Sequence, residues 1–347
     1  MIRVLVVEDS PVVRDLLIHI LETDPGITVA ATAGDGVRAI ELAGQERPDV
    51  ITMDVHMPRL GGIEAVRRIM ETNPVPTVII SASMDPGEVG DAFRAMEAGA
   101  LAICEKPQGI THPLYQRQAR KIVQTVKMVS EIKVVRRWTP IARSGSHPAR
   151  WGGRPAGAAV ELVAIGASTG GPPALRTLLS GLTAAFPAPL LIVQHIAPGF
   201  LSGLVAWLTL ATGVPVEIAC EGNAAEPGHA YVAPDGVHME VRRPGTIRLA
   251  AGPAQNGMCP SVSVLFRSVA ESFDRSAAGV LLTGMGRDGA AELALMKDRG
   301  ALTVAQDEES SVVHGMPGEA IRLGAARHVL PPEAIAELLN TSVGRGR

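Results

Sequence analysis

The sequence predicts an α/β protein made of two doubly wound parallel-sheet domains, and three observations predict it. At ~100–200 residues per domain, a chain of 347 residues holds two. Hydrophobic residues make up 46% and charged residues 19%, enough apolar material for two cores and too much for wholesale disorder. Short β-branched runs alternate twice along the chain with segments of helical period, the pattern of βα units whose strands pair in parallel under helices on both faces.

In the first half the runs are Arg3 to Val7, Ile27 to Ala31, Val50 to Met53, Thr77 to Ile80 and Leu101 to Cys104, which makes five βα units. The first helix is the clearest, with Ser10 as a cap, Pro11 in its first turn and Val12, Val13, Leu16, Leu17, Ile20 and Leu21 on one stripe. A further helix is expected over His112 to Lys133. From Trp138 the chain turns rich in Pro, Gly, Ser and Arg, the composition of a flexible junction. The expected division is a first domain over 1–125, a basic Pro/Gly-rich linker over 126–157 and a second domain over 158–347.

The second alternation has strands at Val160 to Ile165, Leu190 to Gln194 and Pro215 to Ala219, with helices after Pro172-Pro173 and over Phe200 to Ala211. Short segments at Tyr231 to Ala233, His238 to Val241 and Thr246 to Ala250 suggest a small antiparallel insertion. The α/β pattern then resumes with a helix near Ser261 to Phe273, strands Gly279 to Leu282 and Leu302 to Ala305, and helices from Gly289, near Gly318 and near Pro331.

Charge is unevenly spread behind a formal net of -3: residues 1–107 carry -8, 108–157 carry +9 and 158–347 carry -4. The basic middle could attract nucleic acid or anionic lipid. Ten aromatic residues in the whole chain argue against base-stacking platforms, and no helix-turn-helix follows the basic run, so a solvated linker is the expectation and nucleic acid is not. The longest apolar stretches, such as Leu190 to Val193 and Leu204 to Leu208, fall far short of the ~20 residues a bilayer demands, and Met1-Ile-Arg opens no signal-peptide pattern. A cytoplasmic protein without membrane insertion is expected. Cys104, Cys220 and Cys259 are odd in number and in no C-x-x-C spacing, which indicates neither disulfides nor a cysteine zinc site.

Open parallel sheets gather their chemistry outside the carboxyl ends of the strands. There the first half places Glu8 and Asp9 after the first strand, Asp54 after the third, Ser81 after the fourth and Lys106 after the fifth. Three carboxylates brought together repel one another and invite a hard dication with oxygen ligands, for which Mg²⁺ is the candidate. Such a cation would shield a phosphoryl group arriving on Asp54, with Ser81 donating to it and Lys106 pairing with its charge.

The second half offers Gly166-Ala-Ser168-Thr-Gly170, a glycine-flanked serine at a strand-to-helix turn. The next strand ends at Gln194-His195, and Thr283-Gly-Met-Gly-Arg-Asp288 follows a later one, so Ser168, His195 and Asp288 can meet on one edge as nucleophile, base and orienting carboxylate. Gly284 to Gly286 could turn backbone N–H groups inward as an oxyanion hole. An α/β-hydrolase order would instead need Asp235 or Asp288 with His314 or His328.

The first ~125 residues resemble the receiver domain of two-component response regulators, through V-V-E-D-S, M-D-V-H-M-P-R-L-G-G, I-I-S-A-S and E-K-P. The resemblance makes Asp54 the phosphoacceptor, Glu8 and Asp9 the metal-binding acids with Asp54, and Ser81 and Lys106 the switch partners, with a chemotaxis-type histidine kinase as phosphodonor. Residues ~158 to 340 are similar to the catalytic domain of the chemotaxis protein-glutamate methylesterases, through I-G-A-S-T-G-G-P, V-Q-H, P-S-V-S-V-L-F, L-L-T-G-M-G-R-D-G-A and H-G-M-P. That resemblance implies a Rossmann-like serine hydrolase acting on glutamate methyl esters and certain glutamines of chemoreceptor helices, with the Ser168, His195, Asp288 triad, Thr169 and the Met285 N–H as oxyanion candidates, and no cofactor for the ester chemistry. Ile103, Cys259, Ser263 and His314 stand where the families commonly carry an aromatic, Arg, Asp and an aromatic. The rival reading is a receiver joined to an inactive hydrolase domain that signals by docking.

Overall fold

The computed structural model describes residues 1–81, 86–132, 134, 160–184 and 186–343, and the chain divides into two units, Met1–Pro148 and Ala149–Arg347. In the first, β1 (Ile2–Val7), β2 (Ile27–Ala33), β3 (Val50–Met53), β4 (Thr77–Ser81) and β5 (Ala102–Glu105) form one parallel sheet in the order β2-β1-β3-β4-β5. Val4 to Val7 and all of β3 are buried, as an apolar run covered on both faces must be. The covering helices are α1 (Pro11–Leu21), α2 (Gly36–Glu46), α3 (Gly62–Thr72), α4 (Pro86–Glu97) and α5 (Tyr115–Ser130). Successive connections leave β1 in opposite directions, which opens a crevice at the carboxyl ends of β1 and β3.

Helix α5 runs five residues past position 125, where the expected first domain ends. The expected flexible junction from 139 to 157 lies outside the described residues.

The second unit has a seven-stranded parallel sheet in the order β14-β13-β12-β6-β7-β9-β8. Its strands are β6 (Leu162–Ala167), β7 (Leu190–Gln194), β8 (Val216–Ile218), β9 (Ala230–Val232), β12 (Ala277–Leu281), β13 (Leu302–Gln306) and β14 (His328–Leu330). The antiparallel insertion is the hairpin β10 (His238–Arg242) with β11 (Thr246–Ala250). One expectation needs correction, and one strand was not expected. The Tyr231 to Ala233 segment is not part of the insertion: β9 pairs in parallel with both β7 and β8 and is wholly buried. The edge strand β14 has no run in the sequence long enough to announce it.

Helices α6 (Gly171–Ser180), α7 (Leu201–Thr212), α8 (Val262–Phe273), α9 (Ala290–Asp298), α10 (Met316–Arg322) and α11 (Pro332–Ser342) flank this sheet. The sheet reverses its winding at β6, between β7 and β12, so the crevice expected of a doubly wound sheet lies at the ends of those three strands. Helix α8 buries Val262, Leu265, Phe266, Val269 and Phe273 in a core shared with Leu162, Ala164 and Leu281. Its first turn presses on β6 at Gly166, where a Cβ would stand 2.8 Å from Val262 Cγ2 and 2.9 Å from Leu281 Cδ1. No helix among the described residues is long and apolar enough to cross a membrane.

That close approach makes Gly166 a test of how tightly α8 is seated. Gly166→Ala is expected to lower unfolding free energy by about 1–3 kcal/mol through overpacking. Denaturant melts should show a lower midpoint with an unchanged slope.

Candidate functional site

Strand register brings the serine and histidine side by side. Ala167 at the end of β6 pairs with Gln194 at the end of β7, so Ser168 and His195 are the next residues on adjacent parallel strands, roughly 4.8 Å apart in the sheet. Their backbones are pinned: Ser168 N donates to Thr283 O (3.0 Å) and His195 N to Ala167 O (2.9 Å). The buried Gln194 carboxamide donates from Nε2 to Ser168 O (2.9 Å) and His195 O (2.8 Å), tying the two turns together. Gly284 is required opposite, because a Cβ there would come within 2.7 Å of Ser168 Cβ.

Asp288 enters from the loop after β12. Its Oδ2 accepts from His195 Nε2 (3.0 Å) and Val262 N (2.7 Å), and its Oδ1 from Ser261 Oγ (2.7 Å), Ser263 N (3.1 Å) and Asn256 Nδ2 (3.1 Å). The carboxylate thus occupies the N-terminus of α8, where unpaired N–H groups and the helix dipole favour a negative charge. Burial alone would raise the pKa of Asp288, but the bonds from His195, Ser261 and Ser263 outweigh it and hold the carboxyl below its ordinary value.

With Nε2 committed to Asp288, the second ring nitrogen of His195 is the free one. Nδ1 is buried and has no hydrogen-bond partner, so the ring is not hydrogen-bonded to the Ser168 hydroxyl. The serine-protease template has the opposite assignment, with Nε2 toward the serine and Nδ1 toward the aspartate.

Thr283, also buried, organises the opposite wall. Its Oγ1 faces Thr169 O (3.0 Å) and Val313 O (3.2 Å) and accepts from Val313 N (2.9 Å). The expectation for Gly284 to Gly286 needs narrowing, because the Gly284 N–H donates to Val313 O (3.0 Å) and is not available to a ligand. Met285 is half-exposed beside a cleft of ≈ 710 Å³ whose walls include His195, Asp288, Asn256, His314 and Arg322. Ser168 and Thr169 lie outside that lining.

Of the α/β-hydrolase order, His314 shares the cleft wall with Asp288, but the bonds found are to other groups. Asp235 accepts from Gly199 N (3.4 Å), His314 Nδ1 meets Ser311 Oγ (3.4 Å), and His328 sits on β14, three strands from β6. Sequence reasoning missed Asn256, Ser261 and Thr283, and gave Ser263 no part in the triad. Ser263 N in fact bonds Asp288, while its Oγ accepts from Asn256 Nδ2 (3.1 Å) and Gly289 N (2.9 Å). Only the S-V-S run opening a helix signalled any of these. Cys259 is half-buried, and burial raises its thiol pKa.

In the first unit the strand ends converge as the spacing requires. Lys106 Nζ lies 2.8 Å from Asp54 Oδ2 and 3.1 Å from Glu8 Oε2, and Val55 N donates to Asp54 Oδ1 (2.7 Å). Ser81 closes β4 as a buried residue, and its carbonyl accepts from Lys106 N (2.8 Å). Ile103 pairs in register with Ile79 within the sheet. Glu8, Asp9 and Asp54 can each offer an oxygen within 4.8 Å of the others. Glu8 is buried, its side chain meets the Lys106 ammonium at the edge of the sheet, and burial together with the Asp54 charge pushes its pKa up to about 7 against the pull of Lys106. A crowded set of hard oxygens of this kind, with one lysine against three acids, fits a divalent cation such as Mg²⁺.

Comparison with known proteins agrees with both halves. Residues 163–339 match the CheB methylesterase family and residues 4–114 the response regulator receiver domain. A protein-glutamate methylesterase/protein-glutamine glutaminase of Nitrosospira multiformis is 55% identical over 99% of this chain and 97% of its own, and one of Geobacter metallireducens is 52% identical over 98% and 99%. The crystal structure of the Thermotoga maritima CheB methylesterase catalytic domain is 35% identical, covers 53% of this chain and 98% of its own, and superposes with a TM-score of 0.51. With a receiver domain preceding a methylesterase domain, and relatives of more than half identity along nearly their whole length, this chain belongs to the CheB family of protein-glutamate methylesterases.

Proposed function

We propose that the protein is a phosphorylation-activated serine hydrolase that releases methanol from glutamate methyl esters on the cytoplasmic helices of chemoreceptors, and deamidates certain glutamines there. The observation that carries this reading is the His195–Asp288 pair held beside Ser168 at the switch point of the sheet, in a chain whose relatives bear that activity in their names.

The chemistry follows from which atoms are already committed. Asp288 takes the Nε2–H of His195 and fixes the tautomer, leaving Nδ1 as the lone-pair acceptor. Nδ1 receives the Ser168 proton as Oγ attacks the ester carbonyl, and the imidazolium is stabilised by the Asp288 carboxylate. The Met285 N–H, with Thr169 as second candidate, would receive the developing oxyanion. The imidazolium then protonates the departing methoxide, methanol leaves, and His195 activates a water that hydrolyses the glutamyl–serine ester. Deamidation runs through the same steps with ammonia as leaving group. The Asp288 carboxylate is tightly bonded in place, which favours an active enzyme over a docking-only domain.

In the receiver, Glu8, Asp9 and Asp54 would hold Mg²⁺, which supplies charge neutralisation for phosphoryl transfer from the histidine kinase to Asp54. Lys106 would pass from Asp54 Oδ2 to the added phosphoryl charge, and Ser81 would donate to it. Tethering keeps the two domains at high effective concentration, so a weak inhibitory interface suffices, and a ~10-fold change in activity needs only ~1.4 kcal/mol.

Assays of methanol release from methylated receptor membranes test each element. Ser168→Ala and His195→Ala are each expected to lose on the order of 10⁵–10⁶ in turnover, with the double variant little worse; activity within ~10-fold in Ser168→Ala would sink the serine mechanism. Asp288→Asn should fold yet lose up to ~10⁴ in kcat by favouring the wrong tautomer. Because the Asp288 pKa is depressed on folding, its stabilisation is full above pH ~4 and lost as pH falls through the folded value, so the stability gap between wild type and Asp288→Asn should close on acidification. Asp54→Ala should keep basal activity and lose its stimulation by a small phosphodonor. Deleting residues 1–150 should raise basal activity; a folded fragment no more active than the unphosphorylated chain would rule out simple occlusion.

A further inference from the structure

Four of the five groups bonded to Asp288 come from the strand edge or from the cap and first turn of α8, where a sheet of this kind ordinarily gathers its chemistry. The fifth comes from elsewhere. Between the β10–β11 hairpin and α8 the chain makes a tight turn closed by reciprocal backbone bonds, Gln255 N to Met258 O (3.0 Å) and Met258 N to Gln255 O (2.9 Å). At its tip Asn256 and Gly257 both have positive φ, 52° and 78°, the pair of left-handed residues that a type I′ turn requires and that Asn-Gly adopts most readily.

The turn presents the Asn256 carboxamide to the triad. Its two Nδ2 protons have two acceptors, Asp288 Oδ1 and Ser263 Oγ, both at 3.1 Å. Ser261, Val262 and Ser263 grip the carboxylate from the α8 side and His195 from the strand side, whereas Asn256 approaches from the turn and is itself part of the cleft wall. Rotation of the carboxylate about its Cβ–Cγ bond is therefore opposed from outside the helix by His195 on Oδ2 and by Asn256 on Oδ1. Oδ2 can keep facing Nε2 only if Oδ1 stays where it is.

We propose that Asn256 is a positioning residue for the reaction at Ser168, acting through Asp288: its carboxamide fixes the carboxylate so that Oδ2 holds the His195 Nε2–H and Nδ1 stays the base. This rests on the serine-hydrolase reading above. It predicts an effect on turnover rather than on substrate binding, since Asn256 works on the chemical step through Asp288.

Two substitutions keep the turn and change only the chemistry. Asn256→Gly tolerates positive φ and removes the donor; Asn256→Asp also tolerates it and replaces the donor by a second carboxylate against Asp288. The other ionisable groups facing the pair are Arg287, next in the chain, and His314, Glu319 and Arg322 on the cleft wall, all unchanged in both variants. In the full-length protein, Asn256→Gly is expected to lower kcat for methanol release about 10-fold at constant KM. Asn256→Asp should lower it further at neutral pH and move the acid limb of the kcat/KM profile up by about 1 pH unit, because added negative charge favours the imidazolium. The downfield proton NMR signal of the His195 Nε2–H, assigned by its loss in His195→Ala, should shift or broaden in both. Folded variants with wild-type kcat, acid limb and imidazole signal would overturn the proposal and leave Asn256 a turn former. The NMR signal reads the His195–Asp288 pair without turnover, so it separates failure of this inference from failure of the serine mechanism, which Ser168→Ala reports.

Discussion

The carboxylate of Asp288 at the N-terminus of α8 is the interaction on which the catalytic half depends. A helix start buried against a parallel sheet has N–H groups that must find acceptors, and a buried carboxylate must find donors. Each solves the other's problem: Val262 N and Ser263 N reach the two oxygens, Ser261 caps the helix and adds its hydroxyl, and the anion remains ionised in an apolar interior. What is left over on Oδ2 is directed at His195. The site is thereby coupled to the fold, since α8 is seated by the largest apolar side chains of the core and by the absence of a Cβ at Gly166.

The orientation of the histidine follows from that anchorage. Asp288 arrives after β12, on one side of β6, and His195 after β7, on the other, so the ring spans the serine's strand with Nε2 toward the carboxylate. The same triad of residue types on a different topology can reach the serine through the opposite nitrogen, because what catalysis requires is a fixed tautomer and an acceptor at the serine, not a particular ring atom.

The receiver half uses the same sheet geometry for a different balance of forces. Three acids and one lysine meet at the strand ends, and the lysine does not suffice: Glu8 stays hard to ionise while it is buried beside Asp54. Like charges held together by strand register store an electrostatic tension that a dication relieves. The Asp288 carboxylate, by contrast, is saturated with donors from within the chain.

Local patterning in the chain was enough to determine the two parallel sheets, the edges where the sites lie and most of the residues on them, because buried parallel strands read as apolar runs and the residue after each run falls on the same edge. Ser168, His195, Asp54 and Lys106 were legible for that reason. Tertiary structure alone decided the rest. The three-residue strand β14 is too short for a local run to announce, and the Tyr231 segment, legible as a short run, belongs to the main sheet only because β9 pairs in parallel with β7 and β8. Which ring nitrogen of His195 is free depends on the direction from which Asp288 approaches. The donors that hold Asp288 come from a helix start and an inserted turn some 25 to 32 residues away along the chain. Hydrogen bonds of that kind depend on distances of a few tenths of an ångström between separate elements, a quantity fixed by packing and carried by no spacing in the sequence.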